Sequence, residues 1–233
     1  SHAVDLLRSE LEDYAQGHGG TVRVQANTAA TASVVPAAVV SFLAAYPHAR
    51  IDLEECPSSR VVTAVAERRA DLGIVADSVD LGQLETRVLR PDPLVVVTRP
   101  DDPLARLPRA RYADVLGRAF VGLGSASPLQ EHLETHALPL GTQPRYRVRL
   151  PGIDAACHAV AEGIGIAILP QYSVRHWLTS ATLAATALAE PWADRRLVAC
   201  FTSDPDLSDT ARALRDHLLA HAEDETPSGG EPT

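Results

Sequence analysis

The chain has 233 residues, enough for one large domain or for two lobes of about 100 residues each. With 45% hydrophobic and 4% aromatic residues, its core must be built mainly from Ala, Val, Leu and Ile. A formal charge of −9 argues against a phosphate-binding surface, and the residues lead us to expect neither a bilayer-spanning run nor a secretory leader.

Residues 1–20 read as a cloning scar, Ser1-His2, followed by the stub of a linker helix. Val4, Leu7, Leu11 and Tyr14 share one stripe of that helix, and Gly17-His18-Gly19-Gly20 ends it. Thr21 to Ala26 alternates and predicts a strand. Ser33 then opens a helix with Pro36 in its first turn, and Val35, Ala38, Val39, Phe42, Leu43 and Tyr46 form its inner face. Ile51–Glu54 predicts a second strand. Ser58 or Ser59 caps a helix with Val61, Val62, Val65 and Ala66 inward, Asp71–Ala76 is a buried strand, and Leu84, Thr86 and Val88 alternate in a fourth.

The run Pro93-Leu94-Val95-Val96-Val97-Thr98 is a short apolar strand that the following prolines stop. It separates two series of alternating strands and helices, so it is read as leaving one α/β lobe for another, with Arg196–Ser203 as the return. Beyond it come a short helix over Tyr112–Leu116, a strand over Ala119–Leu123 and a helix from Pro128 to His136. Arg145–Leu150 follows as a strand with three arginines on one face, then a helix from Asp154 to Gly163 and a buried strand over Ile164–Pro170. Ser208 caps a last amphipathic helix, and residues 223–233 read as a disordered acidic tail. The expected organisation is lobe I over 21–98 plus 203–222 and lobe II over 99–202, with a cleft between two lobes joined by two crossing strands.

In this order the landmarks Thr21-Val22-Arg23-Val24, Val34-Val35-Pro36 with Phe42 and Tyr46-Pro47, Arg69-Ala70-Asp71-Leu72-Gly73-Ile74, Pro93 to Leu104, and Val160-Ala161-Glu162-Gly163 to Pro170 resemble the C-terminal effector-binding domain of LysR-type transcriptional regulators. The resemblance covers Val4 to His221. It implies two Rossmann-like lobes of the type 2 periplasmic-binding-protein kind, a small-molecule effector in the cleft, no cofactor and no catalysis. It also implies a winged helix-turn-helix N-terminal to residue 1, through which alone DNA would be bound. A homodimer of effector domains is expected, with the helix Val34–Tyr46 a candidate contact, and a tetramer for the full-length protein. Gln25 stands where the family usually has glycine, and Cys56-Pro57 replaces a common Gly-Asn.

Carried over position by position, the resemblance places ligand contacts at Asn27, Thr28 and Thr31, at Ser58 and Ser59, at Gly152, Ile153 and Asp154, and at Thr98 and Thr202 as hinge positions. Thr28, Thr31 and Ser58 at helix beginnings would favour an anion, and Ser58 is the leading candidate. Their competing role is N-capping, worth about 1 kcal/mol apiece. Ser125, in the small-residue turn after a strand, is a further candidate. Cys56, Cys157 and Cys200 are widely spaced and read as reduced thiols of a cytoplasmic protein rather than a redox pair. No metal site is expected, because the nine histidines are not joined by a cysteine or acidic cluster. No Gly-x-Ser-x-Gly, P-loop or acid–base pair supports an enzyme. The alternative reading is a solute-binding protein of a transport system, which shares the bilobal fold.

Overall fold

The computed structural model describes residues 20–125 and 127–224. The expected linker helix and the tail from residue 225 lie outside them. In chain order, β1 (Thr21–Ala26), α1 (Thr28–Thr31), α2 (Val34–Ala45), β2 (Arg50–Glu55), α3 (Ser58–Ala66), β3 (Leu72–Ala76) and β4 (Glu85–Pro91) form the first stretch. Then come β5 (Leu94–Thr98), β6 (Arg109–Ala110), α4 (Tyr112–Val115), β7 (Ala119–Leu123), α5 (Pro128–Ala137), β8 (Arg145–Leu150), α6 (Ile153–Ala161), β9 (Ala167–Pro170), α7 (Arg175–Thr179) and β10 (Ala184–Leu188). The described part closes with β11 (Arg196–Phe201) and α8 (Asp209–Asp224).

The described residues fall into two compact units: 20–90 with 197–224, and those of 91–196. The first unit holds a five-stranded sheet in the order β2-β1-β3-β11-β4. β1 runs parallel to both β2 and β3, while β11 is antiparallel to β3. Every residue of β3 is buried, as a strand covered on both faces requires. One face packs Val22, Val24, Leu72 and Ile74 with Phe42 of α2 and Leu214 and Leu218 of α8. The other packs Val75, Val198 and Cys200 under Val61 and Val65 of α3. A Cβ on Gly73 would stand 2.6 Å from Cys200 Sγ and from a Val61 methyl, so the close approach of α3 to the sheet needs glycine there.

The second unit holds a four-stranded sheet in the order β6-β10-β5-β9 and the parallel pair β7-β8. β5 is antiparallel to both of its neighbours. Its core joins Val95–Val97 to Tyr112, Phe120, Cys157 and Leu169. β8 is an edge, and Arg145, Arg147 and Arg149 alternate outward along it as expected.

Several local expectations change. The chain divides at 90/91 and 196/197 rather than at 98/99 and 202/203. β5 pairs with β9 and β10 and so belongs to the second unit, and the apolar return strand β11 pairs with β3 and so belongs to the first. In β4 the buried residues are Leu89 and Arg90, and Val88 is exposed. The inner face of α3 is Val61, Ala64 and Val65 rather than Val61, Val62, Val65 and Ala66. Ser33 does not cap α2 with its side chain; its hydroxyl donates back to the Ala29 carbonyl at 2.5 Å. Ser208 does cap α8, accepting from the Ala211 N–H at 3.1 Å. The Ala-rich strand β10 has no period-two signal and forms because β5 and β6 flank it, with Thr186 Oγ1 donating to the Leu104 carbonyl at 2.7 Å.

Candidate functional site

In the first unit, the parallel register of β1 and β2 sets Ala26 opposite Glu55. The segments that follow each strand therefore begin side by side. Asn27 is buried and caps α1, its Oδ1 accepting from the Ala30 N–H at 2.9 Å. Its Nδ2 donates to Ser58 Oγ at 3.3 Å, tying α1 to the start of α3. Thr28 Oγ1 donates to Glu55 Oε1 at 2.8 Å, and Thr31 Oγ1 donates to Glu55 Oε2. Asn27, Thr28, Thr31 and Ser58 thus meet in one corner, with Glu55 as a member that the residue patterns alone did not single out.

Two of these positions differ in role from the sequence expectation. Pro57, not Ser58 or Ser59, is the N-cap of α3, so Ser58 occupies the first helical turn with its hydroxyl available to Asn27. Ser59 is exposed, and only its carbonyl is engaged, by Thr63 Oγ1 at 3.0 Å. The departure at Gln25 and Cys56 is explained locally: Cys56 Sγ lies 3.4 Å from Gln25 Oε1, while Gln25 Nε2 donates to Glu54 Oε2 at 2.7 Å.

In the second unit, Gly152, Ile153 and Asp154 open α6. Gly152 has φ of +79°, a conformation that favours glycine. Ile153 is buried in the core, which leaves only its backbone to face a ligand. Asp154 is exposed and accepts from Trp177 Nε1 at 2.9 Å. Ser125 is exposed after β7. Thr98 and Thr202 do not stand where the chain passes between units. They lie at the far ends of the strands that leave the crossings, and Thr98 is fully buried with its hydroxyl unbonded. The residues beside the crossings are Asp92 and Arg195, both buried and joined by an ion pair of 2.9 Å.

A groove of about 340 Å³ in the second unit is lined by Arg99, Asp101, Asp102, Arg118, Gly163, Gly165 and Ile166, none of them a predicted contact. Its charges are matched internally. Arg99 pairs with Asp101 at 3.0 Å and holds that carboxyl below the usual range. Burial pushes Asp102 up, but Arg118 at 2.5 Å and the Leu104 N–H outweigh it, so its value is lowered as well.

The three cysteines are buried, and desolvation raises each thiol, Cys157 and Cys200 to about 12. Thiols held protonated in this way are poor redox sensors. His132 and His136, and His217 and His221, stand four residues apart, a spacing that sets two imidazoles on one helix face. Their ring centroids are 4.4 and 6.4 Å apart, yet among the described residues no group of three His, Cys, Asp or Glu side chains is placed to hold a metal. Among the same residues no helix is long and apolar enough to cross a membrane.

Residues 15–223 match the family model of the LysR substrate binding domain. This chain belongs to that family. The dual regulator GltC of Bacillus subtilis is 22% identical over 170 residues, 72% of this chain and 57% of GltC, so the chain spans little more than half of that relative. The CcmR regulatory domain of Synechocystis PCC6803, solved in complex with 2-PG, superposes with a TM-score of 0.72 at 22% identity, covering 88% of this chain and 99% of that one. The BenM effector binding domain, solved with its effector benzoate, gives a TM-score of 0.64 at 19% identity, covering 91% and 98%. The fold is therefore the α/β type 2 periplasmic-binding-protein-like fold of LysR effector-binding domains, and GltC among the relatives is a transcriptional regulator.

Proposed function

We propose that this chain is the sensor of a one-component LysR-type regulator, which binds a small molecule and relays its occupancy to a winged helix-turn-helix in the full-length protein. It catalyses no reaction and works in the cytoplasm. The observation that carries this reading is the corner formed by Asn27, Thr28, Thr31, Ser58 and Glu55 in a chain of this family. Polar groups from two loops converge there. BenM and CcmR, which share the fold, are each solved with a small molecule.

Ser125, Gly152, Asp154 and the Ile153 backbone are the proposed contacts of the second unit. An effector acts by preferring one conformation of the regulator, and each tenfold preference supplies about 1.4 kcal/mol. A homodimer is part of the proposal, with α2 as a contact; Val40 on that helix is 70% exposed.

The test is a thermal-shift screen of the wild-type chain and Ser58→Trp against small carboxylates, amines, amino acids and sugars. A compound that raises the wild-type Tm and leaves the variant unmoved supports the site. Equal stabilisation of both proteins removes Ser58 from it.

A further inference from the structure

Resting on the effector-sensing reading of the same corner, we propose that Glu55 makes it selective for a cationic or hydrogen-bond-donating group, an amine rather than a carboxylate. This departs from the anion expected from the helix beginnings alone.

A threonine hydroxyl has one proton and two lone pairs. Thr28 gives its proton to one oxygen of Glu55 at 2.8 Å, and Thr31 gives its own to the other oxygen. The remaining neighbours of the Thr31 hydroxyl are the carbonyls of Thr28 and Asn27, at 3.1 and 3.3 Å, so every partner it has is an acceptor. Both hydroxyls therefore meet a ligand with lone pairs.

Two other side-chain donors of the corner are partly committed. Gln25 Nε2 is held by Glu54 at 2.7 Å, and Asn27 Nδ2 by Ser58 at 3.3 Å. Each amide keeps a second proton, and these with the Ser58 hydroxyl stand against the two carboxylates of Glu54 and Glu55. A ligand carboxylate here would be repelled by Glu55 and, to take the threonine protons, would have to strip both hydroxyls from that side chain. A ligand ammonium would find two hydroxyl lone pairs and a carboxylate together, a charge-assisted arrangement.

The experiment measures binding by titration calorimetry with matched probes, benzylamine against benzoate and cyclohexylamine against cyclohexanecarboxylate. Wild type, Glu55→Gln, Glu55→Asp and Ser58→Trp are compared, with circular dichroism confirming that each is folded. Glu55→Asp keeps the charge and serves as the reading should Glu55→Gln not fold. The expected result is that amines bind wild type and Glu55→Asp, bind Glu55→Gln about tenfold or more weakly, and fail on Ser58→Trp. Amine binding indifferent to Glu55→Gln overturns the role of Glu55. Carboxylates that bind wild type and are lost in Ser58→Trp overturn the cation preference and leave the sensor reading standing. No binding by either class overturns both.

Discussion

The guanidinium of Arg195 holds the carboxylate of Asp92 at 2.9 Å and the Asp92 carbonyl at 3.1 Å, while the Asp92 N–H donates to the Arg195 carbonyl at 2.8 Å. The two residues are 103 positions apart in the chain, and each stands beside one of its two passages between units. With side-chain exposures of 7% and 0%, this is a buried ion pair.

Removing one partner of such a pair leaves a desolvated charge, at a cost of about 3–5 kcal/mol. Asp92→Ala and Arg195→Ala are each expected to fall in stability by that order. Asp92→Ala with Arg195→Ala is expected to lose less than the sum of the single variants, because no lone charge remains. Urea unfolding of the four proteins measures this, and simple additivity would show that the pair is not coupled.

Asn27 is a cap and a bridge at once. Asn27→Ala removes the acceptor for the Ala30 N–H and the donor to Ser58, and it should cost about 1–2 kcal/mol. Asn27→Ser keeps a capping hydroxyl but is too short to reach Ser58, so its loss should be the smaller. Chemical denaturation of both variants separates the two roles.

Gly73 lies where a Cβ would collide with Cys200 Sγ and Val61. Gly73→Ala should destabilise by about 1–3 kcal/mol through overpacking, and adding Cys200→Ala should recover part of that loss. At Gly117, where nothing stands within 4 Å of a Cβ, alanine should have little effect. The Tm values of the three variants decide it.

His132 is held well below its ordinary value of 6.5, to about 4, first by burial and then by His136 and Arg195. Between pH 6.5 and 4 the unfolded chain binds a proton here that the folded chain refuses. Stability is therefore whole above pH 6.5 and declines as the pH falls towards 4. His132→Phe, which keeps an aromatic ring against Trp192, should remove up to about 3 kcal/mol of that decline. Urea midpoints at pH 7, 5.5 and 4.5 for both proteins check it; parallel curves would refute the assignment.

Most strands and long helices were legible because their patterns are local. The alternation of Thr21–Ala26 and Arg145–Leu150, the spacing of Val35, Ala38 and Phe42, and the cap at Ser208 all reappear in the structure. β10 was not legible, since an alanine-rich run becomes a strand only when neighbouring strands supply its hydrogen bonds. The division between units was displaced for a related reason. An apolar run reveals that a strand is buried, but not which sheet receives it.

By itself, the order of residues determined the α/β class, the family resemblance and four of the five members of the polar corner. Short-range periodicity and turn chemistry carry the α/β class along the chain, while the corner residues followed from the resemblance. Only the tertiary structure decided that Glu55 takes the protons of Thr28 and Thr31, and that Asp92 and Arg195 rather than Thr98 and Thr202 stand at the crossings. Those relationships depend on strand pairing and register, such as Ala26 opposite Glu55, which bring distant residues within hydrogen-bond reach and leave no periodic trace in the sequence.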